Sequence, residues 1–175
     1  MSDYILKKPF NDTQRADFVC EHQGLNYYED DNCIIMYLNS ESVIDGVVTD
    51  ISQTPEYIAE ELKKAKEVKL QENITKRDEY LLAGVVYKDV LFDSDTDQKI
   101  NLQFYIPNMN DTDTVIWFGK DNQQLECTKE DLLAIGGLIG SLTNKVWSVQ
   151  NPAYIEQINN AKTIEELNAI NINYN

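Results

Sequence analysis

Between Thr54-Pro55 and Leu82 the chain carries one long helical segment, and its character limits how everything on either side can be arranged. Threonine at the N-cap followed by proline at the first helical position is a strong helix start, because proline's fixed φ suits that position and its missing N–H has no partner there anyway. The apolar residues Ile58, Leu62, Ala65, Leu70, Ile74 and Leu81 do not form an unbroken heptad. The stripe is narrow and the other faces are charged. Such a helix is either a spacer lying along its own lobe or a stalk that needs a partner. Both readings divide the chain into an N-terminal lobe over 1–52, a connecting helix over 53–83 and a C-terminal lobe over 84–175.

Ahead of this helix the spacing predicts a strand over Tyr4–Lys7, ended by Pro9. Asn11 with Gln14 three residues on is a capping-box pattern, opening a helix over Asp12–Gln23 that Gly24 stops. Strands are expected over Leu25–Tyr28 and Cys33–Leu38 around the polar turn Glu29–Asn32. Val43–Ile51 is a weaker strand signal, interrupted by a turn at Asp45-Gly46.

Beyond Gly84 the texture changes to hairpins. Val85–Tyr87 and Val90–Phe92 flank Lys88-Asp89, and Thr114–Gly119 and Gln123–Cys127 flank Lys120-Asp121-Asn122. Between the hairpins a helix over Lys99–Ile106 is expected, capped by Asp95 or Asp97, carrying Ile100 and Phe104 and closed by Pro107. Thr128 with Asp131 caps the most apolar helix, Lys129 to about Asn151. Gly136, Gly137 and Gly140 lie inside it, each costing about 1 kcal/mol relative to alanine. Their presence points to close backbone approach by another element or another subunit. Asn151-Pro152 is a kink, after which helix resumes over Ala153–Lys162. A capping box at Thr163 and Glu166 starts a last helix through Ile170. The fold class is therefore α+β: a small N-terminal α+β lobe, the charged helix, and a C-terminal lobe of β-hairpins with a long helix.

Charge narrows the partners. Thirty acids against 15 bases give a net charge of −15, which opposes binding to nucleic acid or to anionic membranes. No run of about 20 apolar residues reads as a membrane span, and the N-terminus has no signal-peptide pattern. Cys20, Cys33 and Cys127 are odd in number and widely spaced, which fits synthesis in a reducing cytoplasm rather than a disulfide framework.

Motifs for chemistry are weak. Asp93, Asp95 and Asp97 alternate like the opening of a calcium loop, yet Gln98 stands where the glycine belongs and Phe104 where the bidentate glutamate belongs. The bland reading is a turn followed by a helix cap, with no metal. Cys20 and the single histidine, His22, diverge by about 200° on a helix, so they do not share a site. A pairing of His22 with Cys33 or Cys127 has no motif behind it. Phosphate-cradling glycine loops are missing, and no cofactor is expected. Tyr27, Tyr28 and Trp117 are candidates for stacking on a carbohydrate, with core packing as the plainer role for Trp117.

Leu91-Phe92-Asp93, the helix containing Ile100, Trp117 before Asp121-Asn122, then Leu125, Thr128 and Glu130, and finally Ile158, Ala161, Thr163, Glu165, Glu166 and Leu167 occur here in an order of some specificity. Over Tyr87–Ile170 this pattern resembles a domain of unknown function found at the C-termini of phage tail and tail-fibre-associated proteins. The opening MSDYILKKPFNDTQRADFV is similar to that of small phage proteins. Asp97, where Ser or Thr is expected, and Pro152 depart from the pattern. The resemblance implies no catalytic residues. It implies a non-enzymatic virion component of the tail, made in the host cytoplasm, binding other tail or fibre proteins and assembling as a homo-oligomer. The surfaces expected to mediate this are Ile58, Leu62 and Ala65 on one helix and Gly136, Gly137 and Gly140 on the other. A tail-fibre assembly chaperone and a carbohydrate-binding host-recognition module are the alternatives.

Overall fold

The computed structural model describes residues 4–44 and 46–175, and the chain divides into two compact units at Lys63/Lys64. It is α+β, built from small antiparallel sheets and a preponderance of helix.

In the first unit, β1 (Tyr4–Lys7), β2 (Asn26–Glu29) and β3 (Cys33–Tyr37) form an antiparallel sheet in the order β1-β3-β2. The central strand buries three successive residues, Ile34, Ile35 and Met36, so both of its faces are covered. The Asn11 capping box forms as the spacing predicts, and helix α1 (Asp12–Glu21) ends two residues before the expected Gln23, with His22 as its C-cap. Where one weak strand was expected over Val43–Ile51, two short ones pair: β4 (Glu41–Ile44) and β5 (Val47–Asp50). The polar pair Glu41-Ser42 gives no strand signal alone and is held by partners Asp50 and Thr49. Of the turn expected at Asp45-Gly46, Gly46 takes a positive φ of 76°, and Asp45 lies outside the described residues.

Helix α2 (Pro55–Leu82) has the predicted bounds, but it is not a segment apart. From Lys64 onward it belongs to the second unit, where Ala65, Leu70 and Leu81 pack on a core of Val146, Ile158, Leu167, Ile172 and Tyr174. Its C-terminal end is closed by several donors. Ser94 Oγ donates to the Leu81 carbonyl, Lys120 Nζ donates to the Leu82 carbonyl at 2.6 Å, and Gly84 turns the chain with φ +96°. A Cβ at Gly84 would lie 2.3 Å from the Phe92 carbonyl oxygen, so both conformation and space demand glycine.

Next come β6 (Val85–Tyr87) and β7 (Val90–Phe92), joined by Lys88-Asp89 with both φ positive, the twist that a two-residue hairpin requires. Helix α3 (Thr96–Asn108) is capped by Asp95 rather than Asp97. Pro107 does not close it. It sits one residue inside the end, where its missing N–H forfeits a single bond of the last turn, and Asn108 Nδ2 satisfies the Phe104 carbonyl at 2.6 Å. β8 (Thr114–Phe118) and β9 (Gln124–Thr128) make the second hairpin.

Thr128 and Asp131 form a complete capping box on α4 (Lys129–Lys145). Its carboxylate also accepts from Tyr87 Oη at 2.7 Å and pairs with Lys88 Nζ at 2.8 Å, which clamps the first hairpin to the helix start. Leu132, Ile135 and Ile139 from α4 join Phe92, Leu102, Trp117 and Cys127 in a second core. Each fully buried large side chain here contributes about 1.5–3 kcal/mol.

Pro152 does not simply kink the long helix. Val146–Gln150 form a π-helical turn, with the Asn151 N–H bonded to the Val146 carbonyl, before α5 (Asn151–Asn160). The wider turn absorbs the missing proline donor without breaking the helix. In α6 (Ile164–Ala169) only half of the predicted box forms. Thr163 accepts from Glu166 N–H, but the Glu166 carboxylate accepts from Lys162 N–H at 2.6 Å instead of from Thr163.

Candidate functional site

Helices α3 and α4 run side by side, and Lys129 Nζ donates to the Met109 carbonyl at 3.0 Å, tying the end of one to the start of the other. Between them lies a groove of about 620 Å³. Its floor and walls are Leu102, Ile106, Pro107 and Ile139, with Gly136 and Gly140 four residues apart on α4. At the far end stand Lys99, Thr143, Asn144, Ser148 and Trp147. Lys99 is the one charged residue lining it, and among the described residues it has no ion-pair partner. The Thr143 hydroxyl is buried and also unpartnered. Trp147 is 46% exposed, with the Arg77 guanidinium 4.3 Å over its ring.

The glycines explain the groove's shape. A Cβ at Gly140 would meet nothing within 4 Å, and one at Gly136 only Leu102 Cδ1 at 3.9 Å. Close approach within the chain, the packing alternative for these residues, therefore does not account for them. Gly137, also expected on this surface, does not line the groove and faces open space. The other expected surface is divided: Ile58 is 50% exposed in the first unit, Leu62 is half-buried there, and Ala65 packs on the core of the second.

The carbohydrate-stacking set does not come together. Trp117 is only 7% exposed and packs in the core, edge-on to Tyr105. Tyr27 and Tyr28 alternate to opposite faces of β2. Arg15 lies over one side of the Tyr27 ring, the residue stays 41% exposed, and the Tyr27 hydroxyl donates to Glu29.

Nor do the aspartates converge. Asp93 pairs with Lys120, Asp95 accepts from the Gln98 N–H as the α3 cap, and among the described residues no group of three acids, histidines or cysteines is placed to hold a metal. The His22 ring lies against Tyr4 and Phe18, with Nδ1 2.7 Å from the Phe18 carbonyl. Cys127 is buried in the second unit's core, and burial pushes its thiol up to about 11.

Shifted carboxylates serve the fold. Glu29 is held down to about 2, first by the Tyr27 hydroxyl and then by Arg15. Asp131 is held far below the ordinary range by Lys88, Tyr87 and the Thr128 N–H.

Sequence reasoning missed a buried polar cluster. Asn73 on α2 and Asn151 on α5 are 1% and 6% exposed, and Asn73 Nδ2 donates to Asn151 Oδ1 at 2.9 Å. The Tyr174 hydroxyl donates to Asn73 Oδ1 at 2.8 Å. Asn73 interrupts an otherwise charged or apolar register, and only the burial of its helix face reveals its part. The reading that no segment suits a membrane also needs correction. By length and composition alone the continuous helix Lys129–Asn160 is apolar enough to cross one, although Leu132, Ile135, Ile139, Val146 and Ile158 on it face the cores.

The fold and groove define a small α+β domain with an apolar slot between two helices. Residues 64–172 match the family model described as Domain of unknown function (DUF4376), and the chain belongs to that family. The match begins at the residue where the second compact unit begins. Neither a curated protein nor a solved structure matches the chain.

Proposed function

We propose that this chain is a non-enzymatic structural or adaptor component of a phage tail or tail fibre, and that it works by binding a partner protein in the α3–α4 groove. The observation that carries the reading is the pair Gly136 and Gly140. They lower the stability of their helix, no close contact among the described residues requires them, and they floor an apolar slot. The occupant that fits is a partner helix with an apolar face, close enough in backbone to use the glycines, and with an acid facing Lys99. In a chain of net charge −15, a slot whose lining holds one lysine and no acid favours a neutral or acidic segment there. Glu29 and Asp131, the two carboxylates shifted furthest, are committed to structural partners, which supports binding over catalysis.

Gly140→Leu tests this, because it fills the slot and improves helix propensity. Purified particles should contain the wild-type chain and lose the variant, while the isolated variant melts no lower than wild type. Incorporation of the variant at wild-type stoichiometry would overturn the reading.

A further inference from the structure

Residues 170–175 form neither helix nor strand, yet two of their side chains are buried in the second unit. Burial alternates strictly: Ile172 and Tyr174 are each 2% exposed, whereas Asn171, Asn173 and Asn175 face solvent. That is the period of an extended peptide lying in a cleft. Three successive main-chain carbonyls are each read by a side chain. Lys76 Nζ donates to Ile172 at 3.2 Å, Tyr154 Oη to Asn173 at 2.6 Å, and Gln150 Nε2 to Tyr174 at 3.2 Å. The Asn173 N–H donates back to Tyr154 Oη at 3.0 Å.

Two side-chain pockets add selectivity. Ile172 enters the apolar core beside Val146 and Ile158. The Tyr174 ring stacks on Tyr80, with centroids 6.1 Å apart, meets Tyr154 edge-on at 5.3 Å, and sends its hydroxyl to Asn73. The groups that read the carbonyls and the Tyr174 hydroxyl lie on α2, the π-helical turn and α5, all of which precede α6. Main-chain reading with two alternate side-chain pockets is how proteins bind extended peptides.

We propose that this cleft is a peptide-recognition site for an extended Ile-x-Tyr segment, filled here by the chain's own tail and able to take the same segment from a second copy. An attached tail outcompetes a free one through its effective concentration. Copies held side by side in an assembly remove that advantage, and exchange of an identical element then makes the same contacts in trans.

The test uses the full chain with Ile172→Asp, whose buried charge expels the tail. A fluorescein-labelled peptide of residues 168–175 should bind this variant saturably and raise its melting temperature. It should bind wild type at least about tenfold more weakly, because the cleft is filled, and a peptide lacking the Tyr174 hydroxyl should bind the variant about tenfold more weakly. Equal binding to variant and wild type, or none to a variant that keeps its helical circular dichroism, overturns the proposal. If the variant does not fold alone, refolding from urea with each peptide decides. Rescue by the native sequence and not by the Tyr174→Phe peptide supports the site, and no rescue overturns it. Wild type refolded at high concentration should yield a dimer on gel filtration that Ile172→Asp does not form. A wholly monomeric wild type overturns exchange between copies.

Discussion

Replacing Gly137 and Gly140 by alanine should stabilise the second unit, and the size of the effect follows from the helix alone. An added Cβ meets no atom within 4 Å at either position, and neither glycine has a positive φ, so neither steric strain nor conformation opposes the change. Glycine in a helix interior costs about 0.8–1 kcal/mol relative to alanine. A unit of about 110 residues has an unfolding entropy near 0.23 kcal/mol/K, so each replacement should raise the melting temperature by about 4 °C and the pair by about 8 °C. Thermal unfolding followed at 222 nm measures this, with Gly119→Ala as the opposite control. There a Cβ would lie 2.5 Å from Val90 Cγ1 and 2.7 Å from the Leu91 carbonyl, and stability should fall. The two positions also separate stability from docking, since only Gly140 lines the slot. A double variant that melts at or below wild type would refute the claim that no contact within the chain requires these glycines.

Thiol labelling should order the cysteines by access: in native protein at pH 8 the exposed Cys20 reacts first, and Cys127, buried and raised to about 11, stays unreacted until unfolding. Rapid labelling of Cys127 in the folded chain would contradict its place in the core. Acid should loosen the first unit through Glu29. Its folded value of about 2 lies below the ordinary 4.5, so its contribution is complete above pH 4.5 and is lost as pH falls toward 2. Amide protection factors in β2, taken relative to intrinsic exchange at each pH, should therefore fall over that window, and Glu29→Gln should flatten the dependence. An unchanged slope in Glu29→Gln would remove this carboxylate from the account.

Much of the fold was readable because its signals are local. Asn11 and Thr128 cap their helices as their neighbours at the third position require, and the ends of α2 follow from Pro55 and the turn at Gly84. What escaped depends on partners distant in sequence. Glu41-Ser42 becomes a strand only opposite Thr49 and Asp50, and Asn73 acquires a role only when Asn151 and Tyr174 are brought to it. The groove was half legible: the glycines marked α4, but their spacing could not show that α3 would supply the other wall or that Lys99 would stand at one end. Of the three candidate stacking residues, alternation along β2 separates Tyr27 from Tyr28, and the core claims Trp117.

The π-helical turn at Val146–Gln150 has a consequence for how the helix tolerates change in length. One residue more than a regular turn rotates everything downstream by about 100°. With that offset Ile158 returns to the angular position of Ile139, one core further along the helix, where uninterrupted winding would set the two about 100° apart. Deleting one residue between 146 and 150 removes the surplus, so ordinary α winding leaves Ile158 facing its core, whereas deleting one residue between 151 and 157 swings it away by about 100°. The wide turn is therefore where this helix absorbs a shortening by one, because there it carries a residue more than regular winding needs.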